Sequence, residues 1–215
     1  MTEVPLIYRS RNRRPLKVDG SVAVVGSSDL LAGNHFGAAI DAHDVVFRFN
    51  LAPVGGEFLA HTGSQADYYL MSQHITTHKF PHAKAEQQRF IRICRKCEVI
   101  CYPGHEKNIL PYNKRPFHLG ITPDTVNQIM TPLVNDTAYR FSVHHHPRNG
   151  IKLLACLLAV GIRPALFGFD VVARGENRHY FDDEVQIEGE KTGHKPSIEY
   201  GLLLALSDRG LIEIY

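Results

Sequence analysis

Two histidines late in the chain stand in settings typical of catalytic groups. His179 is followed directly by Tyr180, and His194 precedes Glu199 by five positions, both in polar sequence near glycines. A neutral imidazole, with an unperturbed pKa of about 6.5, accepts the proton of a hydroxyl, and a protonated one stabilises a departing phosphate. These segments therefore indicate proton transfer at a site that handles hydroxyl and phosphate groups.

Glu199 is a third candidate for the site, and its position allows two interpretations. Pro196 stands just before a helix predicted over residues 197–207, which places Glu199 near the beginning of that helix. A carboxylate there interacts favourably with the positive end of the helix dipole, whatever its role. Glu199 either supports the chemistry of the site or only compensates the dipole.

The long polar stretch between the two histidines also allows two interpretations. Residues 169–195 are interrupted by Gly175, Gly189 and Gly193. Because polar loops of this length within compact domains are usually functional, the stretch predicts a mobile lid over the site. The alternative is a tolerated surface insertion.

Residues 22–50 carry the pattern of a phosphate-binding turn. A short β-branched strand, residues 22–25, ends at Gly26 and is followed by Ser27 and Ser28, a short helix and a second strand that ends at Asn50. Backbone N–H groups after such a strand commonly hold phosphates, and an asparagine amide can both donate to and accept from a base or a sugar hydroxyl. The order of elements predicts a nucleotide site at the carboxyl edge of a sheet.

The same region excludes two common kinds of nucleotide site. The glycines at positions 26, 33 and 37 do not follow the G-x-G-x-x-G spacing of dinucleotide enzymes, and no Gly-Lys-Ser/Thr triplet follows the turn. Asn50 ends the second strand where a dehydrogenase normally has an acidic residue. A nucleotide site of another kind remains.

A second candidate ligand site combines a helix start with a strand end. The helix predicted over residues 151–160 begins with free N–H groups and a glycine that permits close approach, although Asn149 can also be interpreted as a helix cap alone. The strand predicted over residues 165–169 ends where a flat base can stack over glycine. The residues of this site are Arg148, Asn149, Gly150, Gly168, Phe169 and Asp170.

No metal site is predicted. Cys94, Cys97, Cys101 and His105 would have to converge from a helix end, a strand and a loop, so ordinary buried thiols are the better interpretation. The consecutive histidines 144–146 point alternately to opposite faces of an extended segment, and no Asp-x-Asp pair stands at a strand end to hold Mg²⁺ against a diphosphate.

Composition bounds the class of protein. With 215 residues, 44% of them apolar, the chain predicts one catalytic domain over residues 21–215, preceded by a basic segment over residues 1–20. The cluster of basic residues from 9 to 17 is interpreted as a frayed, solvated terminus, the alternative being a contact to phosphate or a membrane surface. The net charge of +2 is interspersed, which argues against a nucleic-acid partner.

Targeting and redox signals favour a cytoplasmic protein. No apolar stretch approaches the roughly 20 residues that cross a bilayer, and no hydrophobic signal core is present at the amino end. The four cysteines show no spacing typical of a disulfide framework.

Alternating β-rich and helical stretches predict an α/β domain of the Rossmann type, with a mostly parallel sheet flanked by helices on both faces. The predicted strands are residues 22–25, 45–50, 66–71, 99–102, 139–143, 165–169 and 211–215. The predicted helices are residues 34–41, 82–94, 123–133, 151–160 and 197–207, the third with Thr122 as its cap.

With these residues in view, the chain resembles the animal-type sialyltransferases of glycosyltransferase family 29. The long motif of that family is similar to residues 22–72, the short motif to residues 147–170, and the two last motifs to His179-Tyr180-Phe181-Asp182 and to His194-x4-Glu199. Four motifs in the same order make the match specific. The resemblance implies a variant GT-A-type fold and a CMP-sugar donor, CMP-sialic acid or CMP-Kdo, with no metal or other cofactor.

The resemblance also implies a role for each matched position. His194 would be the general base on an acceptor hydroxyl of a glycan or glycolipid, while His179 and Tyr180 would bind the leaving phosphate and Glu199 would support the site. The remaining matched residues would contact nucleotide or sugar: Gly26, Ser27, Ser28, Asn50, Arg148, Asn149, Gly150, Gly168, Phe169 and Asp170. The implied reaction inverts the anomeric carbon of the transferred sugar.

Departures from the family pattern keep alternatives open. Two cysteines that the family pairs in a disulfide are replaced by Val22 and Gly161, which suits a reducing compartment and a soluble microbial or viral-type relative. Ser27, Arg148 and Asn149 also differ from the usual residues. A Kdo transferase, an inactive nucleotide- or glycan-binding relative, and an unrelated Rossmann-like enzyme using NAD or S-adenosylmethionine are the competing hypotheses.

Overall fold

The computed structural model describes residues 1–9, 12–78, 83–142, 144–169, 176–177, 186–187 and 194–215. A nine-stranded sheet runs through it in the order β11-β8-β3-β4-β5-β6-β7-β1-β2. The ladder from β11 to β7 is parallel, and β1 pairs antiparallel with both β7 and β2. The predicted α/β fold with a mostly parallel sheet is confirmed.

The strands of this sheet are β1 (Thr2–Arg9), β2 (Pro15–Val18), β3 (Val22–Val25), β4 (Val45–Phe49), β5 (Tyr68–Leu70), β6 (Glu98–Cys101), β7 (Phe117–Leu119), β8 (Ala165–Phe167) and β11 (Glu213–Ile214). A separate antiparallel pair consists of β9 (Glu176–Asn177) and β10 (Gln186–Ile187).

The helices are α1 (Leu30–Gly33), α2 (Gly37–Asp41), α3 (Leu59–Thr62), α4 (Lys84–Lys96), α5 (Pro123–Val134), α6 (Asn149–Leu158) and α7 (Pro196–Asp208). A 3₁₀ turn (Gly56–Phe58) precedes α3, and a π-helical turn (His74–His78) follows β5. Helix α5 begins as predicted, because the Thr122 side chain accepts a hydrogen bond from the Thr125 N–H at 3.1 Å.

Alternate residues of β3 face the two helical layers. Val22 and Val24 pack in the apolar cluster that contains α5, α6 and α7, whereas Ala23 and Val25 pack in the cluster that contains α1 and α2. Helix α4 covers the same face as α1 and α2, over β5 and β6. Because successive side chains of a strand point to opposite faces, an uninterrupted apolar run suits a strand that is covered on both sides.

The prediction of a frayed amino-terminal segment is wrong. Residues 2–9 and 15–18 form the antiparallel strands β1 and β2, with Val4 and Ile7 fully buried. The Arg9 guanidinium donates to Glu98 at 2.7 Å and lies over the Phe117 ring at 4.2 Å from its centroid, so part of the basic cluster ties β1 to β6 and β7. The division at residue 20 stays a prediction.

The predicted strand over residues 139–143 is also wrong for the part that the structure describes. Residues 139–142 form turn and irregular structure with one isolated bridge, between Ser142 and His145. The Asn127 side chain bonds both the N–H and the carbonyl of Phe141 at 2.8 Å, which satisfies the backbone there without a neighbouring strand.

Most of the predicted lid lies outside the described residues, namely residues 170–175, 178–185 and 188–193. Within the described ranges, no helix combines the length and the apolar character that crossing a bilayer requires.

Candidate functional site

The carboxyl ends of β3 and β8 meet at two glycines. The Gly26 N–H donates to the Phe167 carbonyl at 2.7 Å, and a Cβ atom added at Gly26 would lie 2.2 Å from the carbonyl oxygen of Gly168. Gly168 has a φ of +69°, and a Cβ atom there would lie 2.7 Å from the Leu31 side chain. Glycine is required at both positions, and the two candidate ligand segments predicted from the sequence come together here.

We expect Gly26→Ala to destabilise the fold by about 1–3 kcal/mol or more, because the added methyl group meets rigid backbone. Gly33→Ala is the matched control, since a Cβ atom at Gly33 meets no atom within 4 Å and should change stability by less than about 1 kcal/mol. Urea unfolding of both variants measures the difference. Equal stabilities would show that the close contact at Gly26 relaxes without cost.

Two of the predicted nucleotide contacts, Ser28 after β3 and Asn50 after β4, accept hydrogen bonds from backbone N–H groups. The Ser28 hydroxyl accepts a hydrogen bond from the Leu30 N–H at 3.3 Å, and the side-chain Oδ1 of Asn50 accepts one from the Ser72 N–H at 2.9 Å. Asn50 has a φ of +52°, a left-handed conformation that asparagine tolerates well. Within the described part of the chain its side-chain NH₂ group makes no hydrogen bond, and Ser27 is partly exposed at the same edge.

Arg148 and Glu199 join the beginnings of α6 and α7. The Arg148 N–H donates to Glu199 Oε1 at 2.8 Å, and the Arg148 Nε lies 3.5 Å from Glu199 Oε2. Glu199 is 5% exposed, and its burial raises the pKa of the carboxyl to about 7, against the opposite pull of Arg148. Glu199 therefore does more than compensate the dipole of α7, since it links two helix starts and ionises near neutral pH.

His194 lies just before α7 and is fixed by the segment that precedes α6. Its Nδ1 lies 2.7 Å from the carbonyl oxygen of His146, which places the N–H on Nδ1 and leaves the lone pair on Nε2. Partial burial lowers the pKa of His194, and the positive charges of Arg148 and Lys152 lower it further, while the bond to His146 opposes them. The result is a neutral imidazole with one nitrogen available as a base.

Tyr102 and Lys152 belong to this constellation but were not predicted from the sequence. The Tyr102 hydroxyl donates to Asn149 Oδ1 at 2.6 Å, and Lys152 Nζ donates to the same hydroxyl at 3.1 Å. Tyr102 follows β6, and Lys152 lies one turn into α6, where burial lowers its pKa and Glu199 raises it. The network holds the Asn149 side chain against Tyr102, directly after β6, while Arg148 takes the cap position of α6.

An aromatic ring covers the beginning of α6. A Cβ atom at Gly150 would lie 2.7 Å from the Phe169 ring, so the absence of a side chain allows that ring to lie against the helix backbone. Phe169 also contacts Phe49 edge-on, with 6.2 Å between the ring centroids. The strand-end ring and the helix start that the sequence predicted as one site are therefore adjacent.

Three predicted site residues, Asp170, His179 and Tyr180, lie outside the described residues. The structure thus joins Arg148 to Glu199 directly and holds His194 against His146, two positions before Arg148. It also joins Gly26 to Gly168 and Gly150 to Phe169. The roles assigned to these residues stay predictions.

The cysteines are suited to packing and not to nucleophilic chemistry. All four are free, and burial raises the pKa of Cys94, Cys101 and Cys156 to about 12. Residues 94, 97, 101 and 105 and residues 144–146, which the sequence analysis disfavoured as metal sites, do not form a ligand group among the described residues.

Comparison with known proteins gives one family. The model of glycosyltransferase family 29 (sialyltransferase) matches residues 13–211. The mouse alpha-2,8-sialyltransferase 8F is 35% identical over 219 residues, which cover 89% of this chain and 51% of that protein. The mouse CMP-N-acetylneuraminate-beta-galactosamide-alpha-2,3-sialyltransferase 2 is 26% identical over 208 residues, which cover 90% of this chain and 56% of that protein.

A solved structure shares the fold. The crystal structure of a mammalian sialyltransferase matches with a TM-score of 0.58 and 19% identity, covering 91% of this chain and 68% of that one. The chain spans about half the length of the curated relatives that it matches.

Proposed function

This chain belongs to glycosyltransferase family 29, the sialyltransferases, and from that premise we propose that it transfers sialic acid from CMP-sialic acid to a hydroxyl of a glycan or glycolipid. The transfer inverts the anomeric carbon and uses no metal ion. The observation that supports it best is His194, held through Nδ1 by the His146 carbonyl, with its pKa lowered so that Nε2 carries a lone pair at neutral pH.

In the proposed reaction His194 is the general base. Its Nε2 takes the proton of the acceptor hydroxyl as that oxygen forms a bond to the anomeric carbon, on the face opposite CMP. The bond from the anomeric carbon to the phosphate oxygen breaks, and CMP leaves as a phosphate monoester. One displacement with no covalent intermediate inverts the configuration.

The departing phosphate is stabilised by positive charge and by helix-end N–H groups. Lys152 and Arg148 lie at the beginning of α6, whose first N–H groups lack intrahelical partners. His179 and Tyr180, assigned to the phosphate by resemblance, complete the proposal from outside the described residues. These cationic and N–H groups supply the electrostatic stabilisation that a divalent ion provides in other nucleotide-sugar enzymes.

The nucleotide is proposed to lie across the ends of β3, β4 and β8. Ser27, Ser28 and Asn50 contact the ribose and phosphate, and Phe169 beside Gly150 supplies the flat surface for cytosine. A mouse relative is named for a CMP-N-acetylneuraminate donor, which supports the choice of CMP. Four free cysteines suit a reducing compartment, and a cytoplasmic location is part of the proposal.

A ligand screen followed by a donor assay tests the proposal. At a concentration 100 times its Kd, CMP should stabilise the native state by about 2.7 kcal/mol and raise Tm by about 5–10 °C, whereas NAD and S-adenosylmethionine should leave it unchanged. Radiolabelled CMP-sialic acid and CMP-Kdo are then compared across one acceptor panel. Transfer from CMP-Kdo alone would reassign the sugar, and CMP binding without transfer or donor hydrolysis would identify an inactive relative.

A further inference from the structure

A sulfur, a carboxylate and an imidazole meet between β6 and β7. Cys101 ends β6 and is the register partner of His118 in the middle of β7, and Glu106 lies in the loop that joins the two strands. Their potential ligand atoms all lie within 4.8 Å of one another, with 3.8 Å between Glu106 Oε2 and His118 Nε2. Three separate elements thus converge on one point.

Two polar atoms of this cluster are buried and lack hydrogen-bond partners among the described residues. Cys101 is 0% exposed, and the side chains of His118 and Glu106 are 8% and 25% exposed. Glu106 Oε2 and His118 Nε2 are both buried and make no hydrogen bond to any described residue, and the 3.8 Å between them is too long for one. Because buried polar atoms are nearly always bonded, two such atoms facing each other and a thiol point to a ligand between them.

We infer that Cys101, Glu106 and His118 bind one divalent cation of the zinc class. Sulfur, nitrogen and carboxylate oxygen are the donors that zinc prefers, whereas magnesium and calcium require oxygen alone. Zinc bonds of about 2.0–2.3 Å place tetrahedral ligand atoms about 3.3–3.8 Å apart, so the distances between ligand atoms contract by about 1.5 Å at most. A water molecule fills the fourth position.

Charge also balances in this site. When the ion binds, a metal–sulfur bond replaces the S–H bond of Cys101 and the proton leaves to solvent. One thiolate and the Glu106 carboxylate then cancel the double positive charge, and a neutral His118 binds through Nε2. A neutral group of ion and ligands is far cheaper to bury than separate charges.

The cluster lies on the face of the sheet opposite the proposed transfer site. Cys101 packs in the apolar cluster that contains Phe90 of α4, whereas the next residue, Tyr102, packs toward the α6 side and bonds Asn149. A cation here fastens the loop after β6 to two strands and takes no part in the chemistry. The inference is therefore independent of the metal-free transfer proposed above.

Metal titration of the purified full chain, after chelator treatment, tests the inference. Added Co²⁺ alone should bind with a thiolate-to-cobalt absorption band in the near ultraviolet, and one equivalent of Zn²⁺ should abolish the band and raise Tm. Cys101→Ala should lose the band and weaken binding by more than about 100-fold, beyond the loss typical of a ligand's outer partners. Glu106→Gln, at a less buried position, should also weaken binding.

Cys94→Ala is the matched control, because Cys94 is another buried thiol of the same apolar cluster but not of the ligand group. It should keep the band and the affinity. The thiolate band separates this site from cobalt on the histidines at 144–146, which offer no sulfur. Wild type without the band, or Glu106→Gln with unchanged affinity, overturns the inference and leaves a buried Glu106–His118 ion pair only.

Discussion

Replacing His194 with alanine is expected to reduce the transfer rate by about 10²–10⁴-fold, the usual contribution of a general base, while the Kd for CMP stays unchanged. The structure gives the reason, since His194 is fixed by the His146 carbonyl through Nδ1 and so presents Nε2 away from that bond. Its loss removes the base but none of the groups proposed to hold the nucleotide. Initial rates with CMP-sialic acid and calorimetric titration with CMP measure the two quantities.

The pH dependence of kcat/KM is a second, independent test of His194 as the base. Because burial, Arg148 and Lys152 lower the pKa of His194 in the folded protein, its base form persists as the pH falls below 6.5, the ordinary value. The acidic limb of kcat/KM should therefore lie below pH 6.5 in wild type and be missing from the residual activity of His194→Ala. His144→Ala, at an exposed neighbour, is the control that keeps both rate and profile. A His194→Ala variant as active as this control would remove His194 from the mechanism.

Local patterns predicted the elements that position the site. The β-branched run 22–25 forms β3 with the same bounds, and the Thr122 cap and Pro123 define the beginning of α5. These features depend on neighbours within a few residues, so their physics is contained in short stretches of sequence. The helix predicted from residue 151 begins at Asn149, because Arg148 takes the cap position and its N–H is bonded by Glu199.

What sequence reasoning missed depends on distant contacts. Strand β1 carries charged residues among buried ones, and it forms through pairing with β7, more than a hundred positions away. From the sequence, Tyr102 is only the polar end of an apolar strand. Its hydrogen bonds to Asn149 and Lys152 depend on how α6 packs against the sheet. The strand predicted over residues 139–143 failed for a related reason, since Asn127 from α5 takes the backbone bonds of Phe141.

Replacing Glu199 with alanine is expected to cost about 1–3 kcal/mol of unfolding free energy, the usual cost of removing one partner of a buried hydrogen bond, measured by urea denaturation below the pKa of Glu199, about 7. The side chains of Glu199 and Arg148 are 6% and 19% exposed, so removing the carboxylate takes a buried partner from both the Arg148 N–H and its guanidinium. Glu3→Ala is the control, because its salt bridge with Lys17 is 55% and 49% exposed and is worth at most about 1 kcal/mol.

Glu199→Gln separates the hydrogen bond from the charge. The folded pKa of Glu199, about 7, lies above its ordinary 4.5, so the folded state binds the proton more tightly than the unfolded one. The stability from this group is complete below pH 4.5 and is lost as the pH rises to about 7. Wild type should therefore lose stability across that window relative to Glu199→Gln, whose amide does not titrate. Parallel pH profiles for wild type and Glu199→Gln would show that burial does not raise the pKa of Glu199. A Glu199→Ala variant as stable as Glu3→Ala would show that the carboxylate is not needed to join α6 to α7.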